Sequence, residues 1–487
     1  MMKRNSVKSL ISIICVILMM LSTGCSSTQN VSKSGEVPTL VWYVPGDNQD
    51  DLPLVLEKAN EIIEPAIGAK LDLQFITQSS YTERLKMMMA AQTEFDLMLT
   101  GYVNPFNSAY QNGGLMNITK YINDDKELKN ILPDYAWEAA SYDNEIYAVP
   151  NQQIWGTCYS LAIRKDIAEK YNYNVDELMN EKNNEEFWKK VVDYWELVKK
   201  NEPNIIPLYM SVGSDVIHMD DYESIAGNAV LNYKTNKLEN ADYSTASKNH
   251  GKYKQEWYSK GYIRKDIATV QNEVADYKAG RYATAFFVYK PGVEIEKKIE
   301  SGYEWICVPF STPTITRKSI TSTMTALSNT CKHPEKALEL VKLMNTNKEL
   351  YRLICHGIEG VHYEKLSDNV IRYKTDSGYL VNSDWKFGNQ FNAYVIEGKE
   401  ENIWDETKKI NDSSRVSPAI GFAFDSDSTL TASAQLSSIS AKYPYFKGIV
   451  DVDSIWDTRC KELKDAGSDD LFNEVQRQYN EYLKNRK

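Results

Sequence analysis

The sequence predicts an α/β protein of more than one domain. From residue 39 onward, short β-rich runs alternate with amphipathic helical stretches, which implies mostly parallel sheets covered on both faces. The 463 residues from Cys25 onward are also more than one hydrophobic core normally serves.

Each element follows from its pattern. Thr39 to Val44 is a β-rich run ending in the loop signal Pro45, Gly46, Asp47, Asn48. The spacing of Leu52, Val55, Leu56, Ala59, Ile62 and Ile63 predicts a helix behind it. A second strand is expected at Lys70 to Ile76, a helix from Tyr81 to about Thr93, and a third strand at Phe95 to Leu99. In such sheets ligands bind beyond the carboxyl ends of the strands, so the loops after all three belong to one rim. Leu115, Ile118, Tyr121 and Ile122 mark a helical stretch, followed by strands at Ile146 to Val149 and Gly156 to Ile163.

Between 174 and 201, Phe187, Val191, Tyr194, Trp195 and Val198 share one stripe, the mark of a helix packed on a core. A strand ending at Tyr209 to Ser211 follows. Past Ile225 to Ala229 the chain is too irregular to place until a helix near 252 to 260. Ala283 to Val288 is a wholly apolar strand leading through Tyr289, Lys290, Pro291 and Gly292 into a helix, and Trp305 to Phe310 is a further strand. Thr323 to Leu327 alternates small and apolar residues as a strand. It flows into a helix whose first turn suits Pro334, because the missing N–H would be unpaired there anyway. Short strand signals fill 361 to 400. Two helices close the chain, near 428 to 442 and from Ser468 to Leu483.

Three blocks carry a resemblance: TSTMTALSNTCKHPEKALELVKLMNTNKELYRLICHGIEGVHY, then SPAIGFAFD, then LKDAGSDDLFNEVQRQYNEYL. Together they resemble the extracellular solute-binding proteins of ABC importers, the large sugar-binding family, in the lipoprotein branch with an extra C-terminal region of unassigned function. The resemblance implies a two-lobed periplasmic-binding-protein-like fold, each lobe a mostly parallel sheet flanked by helices, with the ligand cleft at the hinge. It implies an N-terminal lobe of residues 38–149 plus about 326–360, and a C-terminal lobe of 150–325 plus about 361–487. The implied activity is capture of a carbohydrate, an oligosaccharide, by hinge closure and its delivery to ABC permease subunits. A peptide-binding receptor of the same fold is the alternative within the binding class.

Carried over position by position, the resemblance places Tyr43, Asp47 and Asn48 at the cleft from the first loop, and Tyr102 and Asn104 from the third. Gln152, Gln153 and Trp155 stand at the first crossing between lobes; Tyr209 or Ser211 ends a strand of the second lobe. Tyr289 and Lys290 come from its apolar strand, Trp385 from the C-terminal part, and Phe424 and Asp425 from the motif GFAFD. Sugar rings present apolar faces edged with hydroxyls, so aromatic side chains beside planar hydrogen-bonding groups suit them. The chain holds 10 Trp, 32 Tyr and 13 Phe; most must be core, so loop position rather than number selects candidates.

Lys3, Arg4 and Lys8 precede an apolar run from Leu10 to Leu21 that is too short to span a bilayer and reads as an export signal, residues 1–24. Its end, LSTGCSS, resembles a lipobox with Cys25 as the lipidated residue, although Ser22 stands where leucine is usual. Residues 26–37 are small and polar, as a tether requires. The expected location is therefore the outer face of the cell membrane, held by a lipid anchor.

The formal net charge is −11, and about −14 without the leader's three basic residues, which argues against nucleic acid as a partner. A monomer is expected. Cys158, Cys307, Cys331, Cys355 and Cys460 show no paired spacing, so no disulfide framework is expected. Gly357 and Gly360 break any helix that would present His356, Glu359 and His362 as metal ligands, and no cofactor is expected. Phosphate-binding loops, nucleophile elbows and zinc-protease helices are absent from the sequence. Two facing carboxylates of a glycan hydrolase leave no sequence signature, so that class stays open as the runner-up.

Overall fold

The computed structural model describes residues 37–181, 183–210, 222–270, 272–444 and 447–486. Cys25, the leader and Ser211 lie outside the described residues. The first sheet runs in the order Lys70–Ile76, Thr39–Pro45, Leu97–Gly101, Thr323–Leu327, Val149–Pro150. Its first three strands are parallel, and Thr323–Leu327 lies antiparallel between Leu97–Gly101 and Val149–Pro150. Leu40, Trp42 and Val44 alternate onto one buried face, because successive side chains of a strand point to opposite sides. Ala59, Ile63 and Ile67 of the helix Leu52–Ile67 pack in the core beneath that face, and Val55 of the same helix is buried. Gly68 ends this helix in the left-handed region at φ 64°, which a side chain would disfavour.

The second sheet is organised on one long strand, Gly156–Arg164. Tyr282–Tyr289 lies on one side of it; Trp305–Pro309 and Thr314–Ile315 lie on the other, and all three are antiparallel to it. Ile206–Tyr209 and Arg415–Val416 complete the two edges in parallel pairings. The expectation of a mostly parallel sheet is therefore corrected here. The β-α-β alternation from 282 to 309 is real, but such a crossover fixes only the relation of its own two strands. The strand slotted between them came earlier in the chain and runs the other way.

The chain passes between the two sheets three times: at 151–155, at 316–322, and where the helix Ile403–Ser413 leads into Arg415–Val416. Residues 363–396 do not go with the second sheet, as a boundary near 361 would require. Their small sheet, Tyr363–Lys365, Val370–Tyr373 and Val395–Ile396, packs on the helix Lys348–His356. Lys386 from the same segment donates to the Pro45 carbonyl at 2.6 Å, at the end of the first strand of the first sheet. A buried ammonium needs such an acceptor, and that carbonyl fixes where the segment lies.

The stretch from 222 to 240, unreadable in sequence, is a three-stranded antiparallel sheet of Tyr222–Ala226, Ala229–Asn232 and Lys237–Asn240. Leu231 and Leu238 join Leu436, Leu463, Leu471 and Val475 in a separate core with the closing helices Leu430–Lys442, Val452–Asp465 and Ser468–Asn485. The middle one of these helices was not anticipated. Among the described residues no disulfide joins the five cysteines, and four of them are buried. Among the described residues no helix is long and apolar enough to cross a membrane, and no group of three His, Cys, Asp or Glu is placed to hold a metal ion.

Candidate functional site

Three asparagine and glutamine side chains tie the crossings together. Asn411 accepts from the backbone N–H groups of Trp155 and Gly156 at 2.8 and 3.0 Å and donates to the Gln153 carbonyl at 2.7 Å. Asn151 donates to the Lys386 carbonyl at 2.9 Å and accepts from Thr325 at 3.1 Å. Gln153 donates to Thr323. The crossing strands thus satisfy one another's polar groups, which irregular backbone must do wherever it is shielded from water.

In front of these crossings lies a cleft in two parts, of about 1000 and 350 Å³, which share Gln153, Ile154, Lys290 and Ser322. The smaller part is aromatic: Tyr102 meets Trp385 edge to face at 5.3 Å, and Trp404 and Gln390 stand beside them. Tyr102 is 46% exposed, unusual for a ring that size, and so available to a ligand. Its presentation depends on Gly101, at φ 136°, where a Cβ would fall 2.1 Å from the Ser322 carbonyl that holds the Tyr102 N–H at 2.8 Å. Opposite, Glu296 is paired with Lys290 at 2.8 Å and Lys399 at 3.5 Å.

The larger part is walled on one side by Tyr159 and Tyr289 of the second sheet and on another by Phe422 and Phe424, with Arg317 across from them. Serine and threonine hydroxyls from 244–247, 311–316 and 319–322 line the rest. Arg317 is committed to the Ser141 carbonyl at 3.1 Å and lies 4.7 Å over the Tyr142 ring. Glu223 is the carboxylate of this part. Burial pushes its pKa up, against hydrogen bonds to Oε2 of 2.5 Å from both Ser417 and Tyr233 and the nearby Arg415 charge.

Of the residues expected at the cleft, the structure brings together Gln153 and Lys290 in both parts, Tyr102 and Trp385 in the smaller, and Tyr289 and Phe424 in the larger. Others have different positions. Trp155 is buried, its indole donating to the Asn151 carbonyl at 3.1 Å, and Tyr209 is stacked on Tyr277 at 5.2 Å inside the second lobe's core. Asn104 is buried and shapes the turn, its carbonyl accepting from the Gly101 N–H at 2.7 Å. Gln152 turns to Asn345 at 3.1 Å, and Tyr43 packs edge-on to Phe95 at 5.4 Å. Asp47 and Asn48 are exposed but line neither part of the cleft, and the Asp425 backbone is held by Gln478. Sequence reasoning missed Tyr159, Glu223, Tyr233, Gln390, Trp404 and Phe422. Tyr159 alternates with the buried Cys158 and Ser160 and was legible in principle; Glu223 precedes Ile225, between the strand ending at Tyr209 to Ser211 and the run from Ile225, where no element was read.

Two α/β cores joined by three passes of chain in front of a wide polar and aromatic cleft make up the architecture of hinged binding proteins. Residues 58–350 match the family of bacterial extracellular solute-binding proteins, and the chain belongs to that family. Residues 418–484 match a domain of unknown function. The chain is 26% identical over 482 residues to a carbohydrate ABC transporter substrate-binding protein of Streptococcus pneumoniae serotype 4, covering 95% of this chain and 94% of that one. Its fold is similar to that of the N-glycan transport solute-binding protein of Streptococcus pneumoniae, with a TM-score of 0.78 at 23% identity over 92% of this chain and 100% of that one. The same protein in complex with Man5GlcNAc gives 0.62 at 24% identity, over 92% of this chain and 99% of that one. An extracellular solute-binding protein of Bifidobacterium longum subsp. infantis gives 0.63 at 16% identity, over 91% of this chain and 98% of that one.

Proposed function

We propose that this protein captures an oligosaccharide in the two-part cleft, closes on it by rotation of the two cores about the three crossings, and delivers it to the transmembrane subunits of an ABC importer. The observation that carries this reading is the cleft itself: it is lined by the exposed Tyr102 and the half-buried rings of Trp385, Tyr159 and Tyr289, together with hydroxyl, amide and carboxylate groups. A chain of pyranose rings offers that alternation of apolar faces and hydroxyl edges. The carbohydrate-binding relatives and their glycan complexes support the class of cargo, and the lower similarity to a glycan complex fits a fold that changes shape.

The reading is of a receptor, not a catalyst. Glycoside hydrolysis needs one carboxyl group free to give a proton and another free to attack or activate water. Of the two carboxylates lining the cleft, Glu223 and Glu296, Glu296 is ion-paired with Lys290 and Lys399 and so poorly suited to either role. Export and attachment through Cys25 belong to the same proposal, on the strength of the leader and tether.

The test is calorimetric and fluorescence titration of the folded chain from residue 37 with neutral oligosaccharides, monosaccharides and short peptides, with chromatography for products. Micromolar or tighter binding of an intact oligosaccharide is expected. Binding of peptides alone would replace the cargo, and release of shorter sugars would replace the receptor with a hydrolase.

A further inference from the structure

We propose that Glu223 is the specificity-determining acceptor of the larger cavity, selecting a glycan unit that offers hydroxyl or amide N–H donors and disfavouring one that carries a carboxylate. This rests on the carbohydrate reading above and adds to it the charge class of the sugar.

The argument begins with what Glu223 has and lacks. It lies on Tyr222–Ala226, an edge strand of the three-stranded sheet, and lines the cavity. Tyr233 and Ser417 both donate to Oε2, at 2.5 Å each. Oε1 has no partner among the described residues, and it is not among the buried atoms left unsatisfied. Two hydrogen bonds therefore fix the carboxylate from behind while its second oxygen keeps its lone pairs for a visitor. An ionised carboxylate only accepts, so the visitor must donate.

The neighbouring cations do not offset this preference. Arg415 stacks 3.5 Å from the centre of the Tyr233 ring and donates to Thr314 at 3.0 Å, so it balances Glu223 from behind the wall. Lys290 is paired with Glu296; Arg317 donates to the neutral Ser141 carbonyl and keeps its charge, and Lys318 is exposed, but of the cations around the cavity it is Arg415 whose charge acts on the Glu223 carboxylate. A carboxylate brought to this wall would meet Glu223 in a partly desolvated cavity, where like charges repel more strongly than in water. The apolar complement comes from Phe422 and Phe424, which belong to the 418–484 region of unassigned function. That region therefore builds the apolar side of this subsite, while Ser417, one residue before it, holds Glu223 on the polar side.

The experiment uses isothermal titration calorimetry on the chain from residue 37 as wild type, Glu223→Gln and Tyr233→Phe. The probes are a neutral oligosaccharide of mannose and N-acetylglucosamine and one of equal length ending in glucuronate, and each variant's melting curve is recorded alongside. The wild type is expected to favour the neutral probe by about tenfold or more, and Glu223→Gln to lose about tenfold for that probe, the range for a hydrogen bond to a charged group. The ratio between probes should fall towards one in Glu223→Gln but persist in Tyr233→Phe, which only loosens the carboxylate. A merely structural role would weaken both probes together and leave their ratio alone. Neutral binding with the wild-type ratio retained in Glu223→Gln would overturn this inference alone, as would a wild type that prefers the glucuronate probe. No binding of either probe to the wild type would overturn the carbohydrate reading and this inference with it.

Discussion

His356 is a buried imidazole whose protonation should destabilise the segment that carries Trp385. It ends the helix Lys348–His356, with Nδ1 2.6 Å from the Tyr373 hydroxyl and Nε2 accepting from the Tyr394 N–H at 3.2 Å. Because Nε2 must accept, the neutral ring carries its proton on Nδ1, and a second proton would break the bond to Tyr394. Burial, helped by the Arg352 charge, lowers its pKa from 6.5 to about 3. Between those values the unfolded chain binds the proton and the folded chain does not, so stability falls as pH falls and is recovered as pH rises past 6.5. From pH 7 to pH 5 this one group should remove about 2 kcal/mol. The assay is urea unfolding of the wild type and of His356→Gln at both pH values, taking the difference of differences so that carboxylates common to both cancel. The glutamine can donate to Tyr373 and accept from Tyr394 without titrating. Equal losses on acidification in the two proteins would refute the reasoning.

Replacing Trp385 by Ala should weaken oligosaccharide binding by about 1 to 3 kcal/mol with the fold intact, because it removes the partner of the exposed Tyr102 ring; unchanged calorimetric affinity would exclude the pair as a ligand platform. Gly101→Ala combines a φ of 136° with a Cβ 2.1 Å from the Ser322 carbonyl, so it should lower the melting temperature and abolish binding together, whereas Gly302→Ala, with open space around it, should leave binding unchanged. Asn411→Ala leaves the N–H groups of Trp155 and Gly156 and the Gln153 carbonyl without that partner and should cost about 2 kcal/mol or more of stability in denaturant unfolding. Tyr482→Phe removes a 2.7 Å hydrogen bond to Glu138 and should cost about 1 to 2 kcal/mol, with a double-mutant cycle against Glu138→Gln showing that the two losses do not add.

The first lobe's sheet was legible because its strands are short, alternating and separated by helices whose buried positions recur every three to four residues, as in Val55, Ala59 and Ile63. The second sheet was legible strand by strand but not in direction, since nothing local in Gly156–Arg164 shows which neighbours will flank it. The helix Val452–Asp465 does bury Val452, Trp456, Arg459 and Leu463 at helical spacing, but the buried arginine in the middle of that stripe hid it. Arg459 can sit there because its guanidinium reaches the Asp242 carbonyl across the small sheet, a partner 217 residues away. At the cleft, residues next to a strand end with an exposed ring, such as Tyr102, could be chosen from sequence. Trp155 and Tyr209 could not be distinguished from them, because whether a ring faces cleft or core depends on packing by distant elements.

The position of the C-terminal region bears directly on how the two cores could move. Ile420 is buried in the core beneath the first sheet, Ala423 packs against the cluster of Tyr142 and Met324, and Ala419 and Phe422 belong to the core of the closing helices. Glu138, on the short helix Asp134–Ala139, accepts from Tyr482 and pairs with Arg486 at 2.8 Å, while the Gly421 N–H donates to the Tyr482 hydroxyl at 3.2 Å. A Cβ on residue 421 would stand 2.6 Å from Glu138, so this segment lies directly against the first lobe. Packed cores shift between discrete arrangements rather than deforming continuously. Any rotation of one core against the other must therefore repack residues 419–423 or carry them with one side. Phe422 and Phe424 wall the larger cavity, so the same repacking would alter the shape of the site. If the two cores close as proposed, residues 419–424 would couple that closure to the shape of the larger cavity.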